Sequence, residues 1–348
     1  MIPDHWRRAA LAPPSGWGPP LGAGVVRASP EDFEVREILG FEASGAGPHA
    51  LLCVRKRGAN TEWVARELAR VAACKPFEVG FAGLKDRNAV TTQFFTVPRG
   101  KRPAAEFTGV RGDGFEVLSA AEHQRKLPRG VLEGNRFAIN VREFHCDPAL
   151  LAERLARLRE GGAPNYFGEQ RFGRDAGNLE AILRAAGGGG RSGNEQRGFM
   201  LSAARSLIFN AILAGGGERG AWNRFAPGDV ATLDGPGSVF SVEAVEDSLV
   251  ARCAALEIHP TAPLVGEGEG LARGEVRAHE DSVAADFPEA LAVIRAARMN
   301  AERRATRIRV RELEYDYDGA VLRLEFALSA GSFATTVLRE IIAGSVGE

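Results

Sequence analysis

The segment 80–93 holds the densest set of residues that could do chemistry. It reads Gly-Phe-Ala-Gly-Leu-Lys-Asp-Arg-Asn-Ala-Val-Thr-Thr-Gln, so the carboxylate of Asp86 follows a glycine-containing turn and has Lys85 and Arg87 on its two sides. Neighbouring cations favour the ionised form of a carboxylate, which can then act as a nucleophile or as a general base. On these residues alone, a solvated charge triplet on a surface turn remains the alternative.

The elements predicted around Asp86 are mostly strands. Alternating apolar and polar residues predict half-buried strands, and they lie at 33–38, 50–54, 79–82, 93–97 and 136–142. One helix is predicted over 61–71, because Asn60 is a good N-cap residue and Val64, Leu68 and Val71 recur on one helical face. Asp86 therefore lies on the turn between two strands.

The middle of the chain has a different character. Helical periodicity is predicted at 148–160 and 201–213, with glycine-rich loops at 187–190 and 215–217. Strand patterns return at 308–310 and 321–326, followed by a final helix over 334–343. Strands, a helical block and strands again predict an α/β (α+β) fold in which one domain is interrupted by another.

Composition restricts the class of protein. The 348 residues are 45% hydrophobic and 26% charged, which is typical of a globular chain of one or two domains. The first 21 residues are rich in proline and glycine and do not resemble a secretion signal, and no apolar run has the ~18 residues of a membrane span. We therefore predict a cytoplasmic protein with no membrane partner.

The metal-ligating residue types are dispersed. The four cysteines form no Cys-x-x-Cys pair and the six histidines form no His-x-x-x-His pair. Because structural zinc needs clustered ligands, we predict no metal site.

Charge gives an ambiguous indication about nucleic acid. The net charge is −1, which argues weakly against a nucleic-acid partner. The basic residues nevertheless cluster, within 99–102, 125–142 and 295–311. Such clusters could contact phosphates, although solvated surface faces explain them equally well.

Several motifs in the right order resemble one known family. The segment Gly-Leu-Lys-Asp-Arg at 83–87 resembles the catalytic motif of the TruD family of tRNA pseudouridine synthases. Further segments resemble that family's signatures, and they are Pro-Glu-Asp-Phe at 30–33, Gly-Asn-Arg-Phe at 134–137, Pro-Asn-Tyr-Phe-Gly-Glu-Gln-Arg-Phe-Gly at 164–173, Leu-Ser-Ala-Ala-Arg-Ser at 201–206 and Ala-Gly-Ser-Phe-Ala-Thr at 330–335. The similarity runs from about residue 25 to residue 343.

The resemblance implies an architecture and a reaction. It implies a catalytic pseudouridine-synthase domain with a mostly antiparallel sheet over 1–159 plus 307–348, and an inserted TruD domain over 160–306. RNA would bind between the two domains. The reaction breaks the N1–C1′ bond of uridine, turns the base and joins C5 to C1′, so it needs no cofactor. The implied substrate is uridine 13 in the D-arm of tRNA, foremost a glutamate tRNA, and the implied protein is a monomer.

The resemblance also implies roles for individual residues. Asp86 matches the invariant nucleophilic aspartate, which could attack C6 of the base or C1′ of the ribose, or could act as a base at C2′. Arg27 stands where the family has a supporting cation, and Lys85 is a second candidate for that role. Substrate binding is implied for Phe33, Asn135, Phe137 and Phe333, since a base that leaves its stack needs an aromatic face and a polar partner.

Some assignments stay open. Asn165, Gln170 and Arg171 could contact RNA or could belong to a structural turn at the domain junction. The family often has histidine where this chain has Asn88, so a proton role at that position is doubtful and the group that removes the C5 proton is unidentified. The rival functions are a synthase of the same fold acting on another RNA site and a non-catalytic RNA-binding or chaperone protein. An enzyme of small nucleotides is disfavoured because the chain lacks a phosphate-binding loop.

Overall fold

The computed structural model describes residues 1–189, 193–217, 222–235 and 238–343. The chain divides into two compact units. The first unit comprises Leu21–Leu151, Arg311–Gly331 and Ile342–Glu348, and we call it the Asp86 unit. The second unit comprises Met1–Pro20, Ala152–Val310 and Ser332–Ile341, and we call it the helical unit. The insertion of a domain at 160–306 into one formed by 1–159 plus 307–348 stays a prediction.

Helices within the described residues are numbered in chain order. They are α1 (Asp4–Leu11), α2 (Thr61–Val71), α3 (Pro148–Gly161), α4 (Gly177–Ala186), α5 (Asn194–Gly217), α6 (Asp247–Ala254), α7 (Gly274–Ala285), α8 (Pro288–Ala296) and α9 (Ala334–Arg339).

Strands are numbered in the same way. They are β1 (Gly22–Ala23), β2 (Val25–Val26), β3 (Phe33–Ile38), β4 (His49–Arg57), β5 (Gly80–Phe81), β6 (Val90–Pro98), β7 (Arg111–Gly112), β8 (Phe115–His123), β9 (Gly134–Arg142), β10 (Ala163–Pro164), β11 (Val230–Leu233), β12 (Val239–Ser241), β13 (Ile258–Leu264), β14 (Glu302–Ala305), β15 (Arg307–Ile308), β16 (Arg311–Tyr317), β17 (Leu322–Ser329) and β18 (Ile342–Ala343).

One large sheet forms the Asp86 unit. Its strand order is β16-β17-β9-β3-β6-β4-β8-β7, and the short strands β2 and β5 also pair with β9 and β6, respectively. Every neighbouring pair in it is antiparallel except β3 with β6, which run parallel with Val35 opposite Thr91. This mostly antiparallel sheet in a mixed α/β chain confirms the predicted fold class.

Helix α2 and the sheet share a core in the Asp86 unit. Val64 and Leu68 are buried with the core-facing residues of β4, among them Leu52 and Val54. Burying an aliphatic side chain of this size contributes roughly 1.5–3 kcal/mol, so this contact fixes α2 to the sheet. The segment that carries Asp86 begins on β5 and ends on β6, beside this core.

The helical unit has its own core. Helix α5 lies in it with Leu207, Ile208 and Phe209 buried, and Trp6 of α1 is fully buried in the same cluster. A four-stranded antiparallel sheet of order β12-β11-β13-β14 belongs to this unit. The N-terminal segment, whose composition predicted only a proline- and glycine-rich stretch, is thus a structural part of this core.

One helix within the described ranges is long and apolar enough to cross a membrane. It is the segment Gln196–Gly216 of α5, and 61% of its apolar window is buried inside the protein. Burial in a core requires the same all-round apolar composition, and α5 supplies buried residues to the core of the helical unit.

Most predicted elements are present, and two details of the prediction were wrong. Residues 215–217 were predicted as a loop but belong to α5, and a Cβ on Gly215 would stand 3.1 Å from the ring of His279, so glycine there permits the close approach of α7. The last helix ends at Arg339 because Ile342 pairs with Gly22 in a strand. Asn60 occupies the N-cap of α2 as predicted, although its side chain makes no capping hydrogen bond. Residue 190 of the predicted loop 187–190 lies outside the described residues.

Candidate active site

Asp86 lies on the loop between β5 and β6, with its side chain 31% exposed. Carboxylate oxygen Oδ1 accepts a hydrogen bond from the backbone N–H of Asn88 at 2.9 Å. Oxygen Oδ2 lies 3.3 Å from a guanidinium nitrogen of Arg27. The carboxylate is therefore fixed in orientation and still open to a ligand on part of its surface.

Arg27, the residue predicted as the supporting cation, lies beside Asp86. It directly follows β2, has a left-handed backbone with φ of 62°, and its side chain is only 5% exposed. Its guanidinium carbon lies 4.0 Å from the ring centroid of Phe33, a cation–π distance. Burial lowers the pKa of Arg27 from its usual value, and the nearby Asp86 carboxylate opposes that shift.

Lys56 holds the backbone of the loop that carries Asp86. Its side chain is 1% exposed, and its ammonium donates to the carbonyl oxygens of Ala59 at 2.9 Å and Asp86 at 2.8 Å, with a longer contact to that of Lys85 at 3.4 Å. Burial lowers the pKa of Lys56 to about 8, against the opposing attraction of Asp86. A buried ammonium is costly unless it is hydrogen bonded, and these backbone carbonyls supply its hydrogen-bond partners.

Lys85 is paired with a buried carboxylate. Its ammonium lies 2.6 Å from Oε1 of Glu37, whose other oxygen accepts the backbone N–H of Phe94 at 2.8 Å. Burial raises the pKa of Glu37, and Lys85 opposes that shift. Direct support of Asp86 by Lys85 stays a prediction, because the contact that the structure gives this ammonium is with Glu37.

Two further side chains complete the attachment of the loop. The amide of Gln93 donates to the carbonyl of Gly83 at 2.6 Å, and the hydroxyl of Thr61 accepts the backbone N–H of Lys85 at 3.0 Å. Thr61 and Gln93 are also bonded to each other at 3.1 Å. The loop is thus held by side chains from β3, β4, α2 and β6, which is how a catalytic group is preorganised.

The predicted aromatic residues Phe33 and Phe137 lie together in the Asp86 unit. Val35 of β3 is paired with Phe137 of β9, and the rings of Phe33 and Phe137 are 6.3 Å apart in an edge-to-face arrangement. Phe137 also packs on Phe326, with centroids 5.4 Å apart. Because Phe33 contacts Arg27 as well, the aromatic cluster continues to the cation that faces Asp86.

Asn135 has an unused acceptor. It precedes Phe137 by two residues on β9, so both side chains point to the same face of the sheet. Its Oδ1 atom is buried and has no hydrogen-bond partner among the described residues. Such an atom costs free energy in the free protein, and a ligand that donates a hydrogen bond here would recover it.

Four predicted site residues belong to the helical unit. The ring of Phe333 lies 6.3 Å from that of Phe167. Asn165 donates to the carbonyl of Ala305 at 2.8 Å and accepts from Arg304 at 2.6 Å, so both ends of its amide are used within this unit. Arg171 donates to Ser202 at 2.8 Å and Gln170 is exposed. The substrate or RNA roles of these four residues stay predictions.

The sequence carried a signal for the two charged residues that the prediction missed. Lys56 stands in the same alternation as Ala50, Leu52 and Val54, whose side chains face the core of β4. Glu37 likewise continues the buried alternation of β3. An ionisable residue at a core-facing strand position is either paired or functional, and that pattern could have identified both.

The arrangement suits covalent or general-base chemistry by one carboxylate. Asp86 has a cation on one oxygen and a backbone N–H on the other, which leaves lone pairs on both for a reacting atom. Within the described parts of the chain, no three His, Cys, Asp or Glu side chains are grouped as metal ligands would be. The absence of a cofactor from the reaction stays a prediction.

Comparison with known proteins gives a consistent result. The family model of tRNA pseudouridine synthase D (TruD) matches residues 19–184 and 194–341. The tRNA pseudouridine synthase D of Nitrosococcus oceani is 42% identical over 331 residues, covering 94% of this chain and 92% of that protein. The Methylococcus capsulatus protein of the same name is 43% identical over 323 residues, covering 92% and 91%.

A solved structure agrees in fold. A TruD structure from Methanosarcina mazei superposes with a TM-score of 0.75 over 99% of both chains at 22% identity. That likeness concerns the fold, whereas the sequence matches extend over nearly the whole chain and include the loop of Asp86. The chain therefore belongs to the tRNA pseudouridine synthase D (TruD) family.

Proposed function

We propose that this protein isomerises uridine 13 in the D-arm of tRNA, foremost a glutamate tRNA, to pseudouridine, and that Asp86 is its nucleophile. Members of the TruD family are isomerases of the pseudouridine synthase class. The observation that carries the assignment of Asp86 is its carboxylate, partly open and held between Arg27 and the N–H of Asn88 on a loop attached by four buried side chains.

The proposed reaction conserves atoms and electrons. The N1–C1′ bond breaks, the base turns, the C5–C1′ bond forms, and the proton at C5 is finally replaced by one at N1. A carboxylate can hold the detached fragment by bonding to C6 or C1′, or can remove the C2′ proton in a glycal route. In each route the guanidinium of Arg27, 3.3 Å from the carboxylate, stabilises the negative charge of the free nucleophile.

The remaining residues are assigned to binding. The target uridine leaves its stack, and Phe137 replaces part of the lost stacking, a contact worth roughly 1–3 kcal/mol. The buried Oδ1 of Asn135 accepts the N3–H of uracil, which gives that atom the partner it lacks among the described residues. Phe33 supports Arg27 through the cation–π contact. Phe333, Asn165, Gln170 and Arg171 are proposed as further tRNA contacts.

The test is tritium release from a glutamate tRNA transcript labelled at uridine C5. Wild type should release tritium, and Asp86→Asn should release none while keeping its affinity for the tRNA. A transcript with cytidine at position 13 is the matched control and should give no release. Release that persists with this control transcript would indicate another target uridine. Tight binding without any release by wild type would indicate an RNA-binding protein instead.

We propose a cytoplasmic monomer as the working form. Size-exclusion chromatography with light scattering should give one chain per particle at micromolar concentration.

A further inference from the structure

The Asp86 unit contains a pocket whose lining does not include Asp86. It has a volume of about 460 Å³ and lies where the segment 76–81 meets the segment 126–129. Its walls combine aromatic rings with cations. The inference below rests on the proposed function, because the ligand it assigns is part of the tRNA.

Phe77 is the most exposed wall of this pocket. It stands on the single helical turn Pro76–Glu78 and is 71% exposed. The turn is fixed by a hydrogen bond from the N–H of Lys75 to the carboxylate of Glu78 at 2.8 Å. An exposed phenylalanine on a fixed turn loses the hydrophobic free energy that burial would provide, so it is poised to gain that energy from a flat ligand.

Two cations line the same pocket. The guanidinium of Arg129 lies 3.6 Å from the ring centroid of Phe81, and the ammonium of Lys126 donates to the carbonyl of Phe77. Both residues line the pocket and both are exposed. Among the nine described residues that line it, none carries a carboxylate. The hollow is therefore complementary to a ligand that joins negative charge to a planar apolar group.

The pocket is built on fixed backbone. The N–H of Leu127 donates to the hydroxyl of Thr96 at 2.9 Å, and the N–H of Gly130 donates to the carbonyl of Ala82 at 2.7 Å. A Cβ on Gly80 would stand 2.8 Å from the backbone nitrogen of Leu127, so the segments 76–81 and 126–129 are in close contact. The aromatic and cationic walls are thus already in place before any ligand binds.

We propose that this pocket binds an unstacked nucleotide of the tRNA, a second site distinct from the one that takes the target uridine. Phe77 stacks on the base, and Arg129 with Lys126 contacts the adjacent phosphates, which is how proteins bind single-stranded nucleic acid. A free nucleotide carries the same planar base and negative charge, and we commit to the tRNA as the source because tRNA is the substrate under the proposed function.

The pocket is close to Asp86 along the chain, which agrees with a ligand that is part of the same tRNA. Phe81 precedes Asp86 by five residues, so their Cα atoms are at most about 18 Å apart. A stacked strand advances about 3.4 Å per nucleotide. The pocket therefore lies within the distance that roughly five stacked nucleotides span from the loop of Asp86.

The experiment measures tRNA affinity and its salt dependence for the full-length protein. Loss of one base stack should weaken binding of the glutamate tRNA transcript by Phe77→Ala about tenfold. Phe77→Leu should lose nearly as much, whereas Phe77→Tyr should bind as wild type does, because only an aromatic ring stacks. Phe199→Ala removes another exposed phenylalanine, in the helical unit, and should not change the affinity.

The salt dependence separates the two contacts. Arg129→Gln should reduce the slope of log Kd against log salt by about 0.7–0.9 for one lost phosphate contact, and Phe77→Ala should leave that slope unchanged. Equal affinities for wild type, Phe77→Leu and Phe77→Ala, in a wild type that still releases tritium from this tRNA, would overturn the assignment of the pocket. A wild type without tritium release would instead contradict the proposed function.

Discussion

Replacing Lys56 with methionine tests whether the Lys56 ammonium positions the loop that carries Asp86. Methionine has a similar length but no donor, so the carbonyls of Ala59 and Asp86 lose bonds of 2.9 and 2.8 Å. An unsatisfied buried acceptor costs about 1–3 kcal/mol. The opposing gain is the relief of a buried charge. The fall of the Lys56 pKa from 10.5 to about 8 corresponds to about 3 kcal/mol at pH 7.

These two effects largely cancel at neutral pH, so the free energy of unfolding should change by less than about 3 kcal/mol. Activity should change far more, because a shift of about 1 Å in a reacting group can cost about a hundredfold in rate. We therefore expect kcat of Lys56→Met to fall about a hundredfold with little change in KM. Single-turnover pseudouridine formation at saturating tRNA measures this directly.

The difference in stability between wild type and Lys56→Met should depend on pH, and the direction of that dependence follows from the pKa of Lys56. The folded-state pKa of Lys56 lies below the unfolded value, so between about 8 and 10.5 the unfolded chain holds more protons. Wild type should accordingly gain stability relative to Lys56→Met as the pH rises through that window, by up to about 3 kcal/mol. Urea unfolding at pH 7.5 and 9.5 measures the difference, with Lys101→Met as the control at an exposed lysine.

Two results would refute the reasoning. One is a folded Lys56→Met variant whose kcat lies within twofold of wild type, because the loop would then not depend on the ammonium. The other is a stability difference that falls with rising pH, because Lys56 would then not be a buried cation in the folded state.

Three further predictions concern other parts of the molecule. Asn135→Leu should raise the free energy of unfolding by about 1 kcal/mol, because it removes a buried acceptor without a described partner. The same substitution should lower kcat/KM about tenfold. Urea unfolding and steady-state kinetics measure the two quantities, and a free energy of unfolding and a kcat/KM that move in the same direction would contradict the prediction. Arg27→Gln should lower kcat at least tenfold and Arg27→Lys less so, since only lysine retains a positive charge near Asp86, and equal rates for the two variants would exclude a charge effect. Trp6→Ala should destabilise the helical unit by about 3–5 kcal/mol because Trp6 is fully buried, and an unchanged urea midpoint would show that α1 is not part of that core.

Local sequence patterns were sufficient to predict much of the secondary structure of the Asp86 unit. Helix α2 has the bounds that its periodicity predicted, and β3 and β9 contain the predicted alternations. The turn that carries Asp86 was predicted from the glycine between two strand patterns, and these strands are paired, with Phe81 opposite Phe95. Such features depend on neighbours along the chain, which the sequence shows directly.

Long-range pairing could not be obtained in the same way. Nothing in β3 or β6 alone indicates that they run parallel and adjacent, yet this arrangement is what brings Glu37 to the amide of Phe94. The periodicity of β4 could have shown that Lys56 is buried, but not that its ammonium binds the backbone of a loop 30 residues away. The glycines at the end of α5 predicted a break, and tertiary packing against α7 overrode that propensity.

The attachment of the catalytic loop also has a consequence for how the protein unfolds. The backbone N–H of Lys85 is bonded to a side chain of α2, and the carbonyls of Gly83 and Asp86 are bonded to side chains of β6 and β4. Exchange of that amide hydrogen with solvent therefore requires separation of elements that are far apart in the sequence, as in a cooperative opening. The amide of Lys85 should exchange as slowly as core amides of the sheet, and heat inactivation should coincide with melting of the sheet rather than precede it.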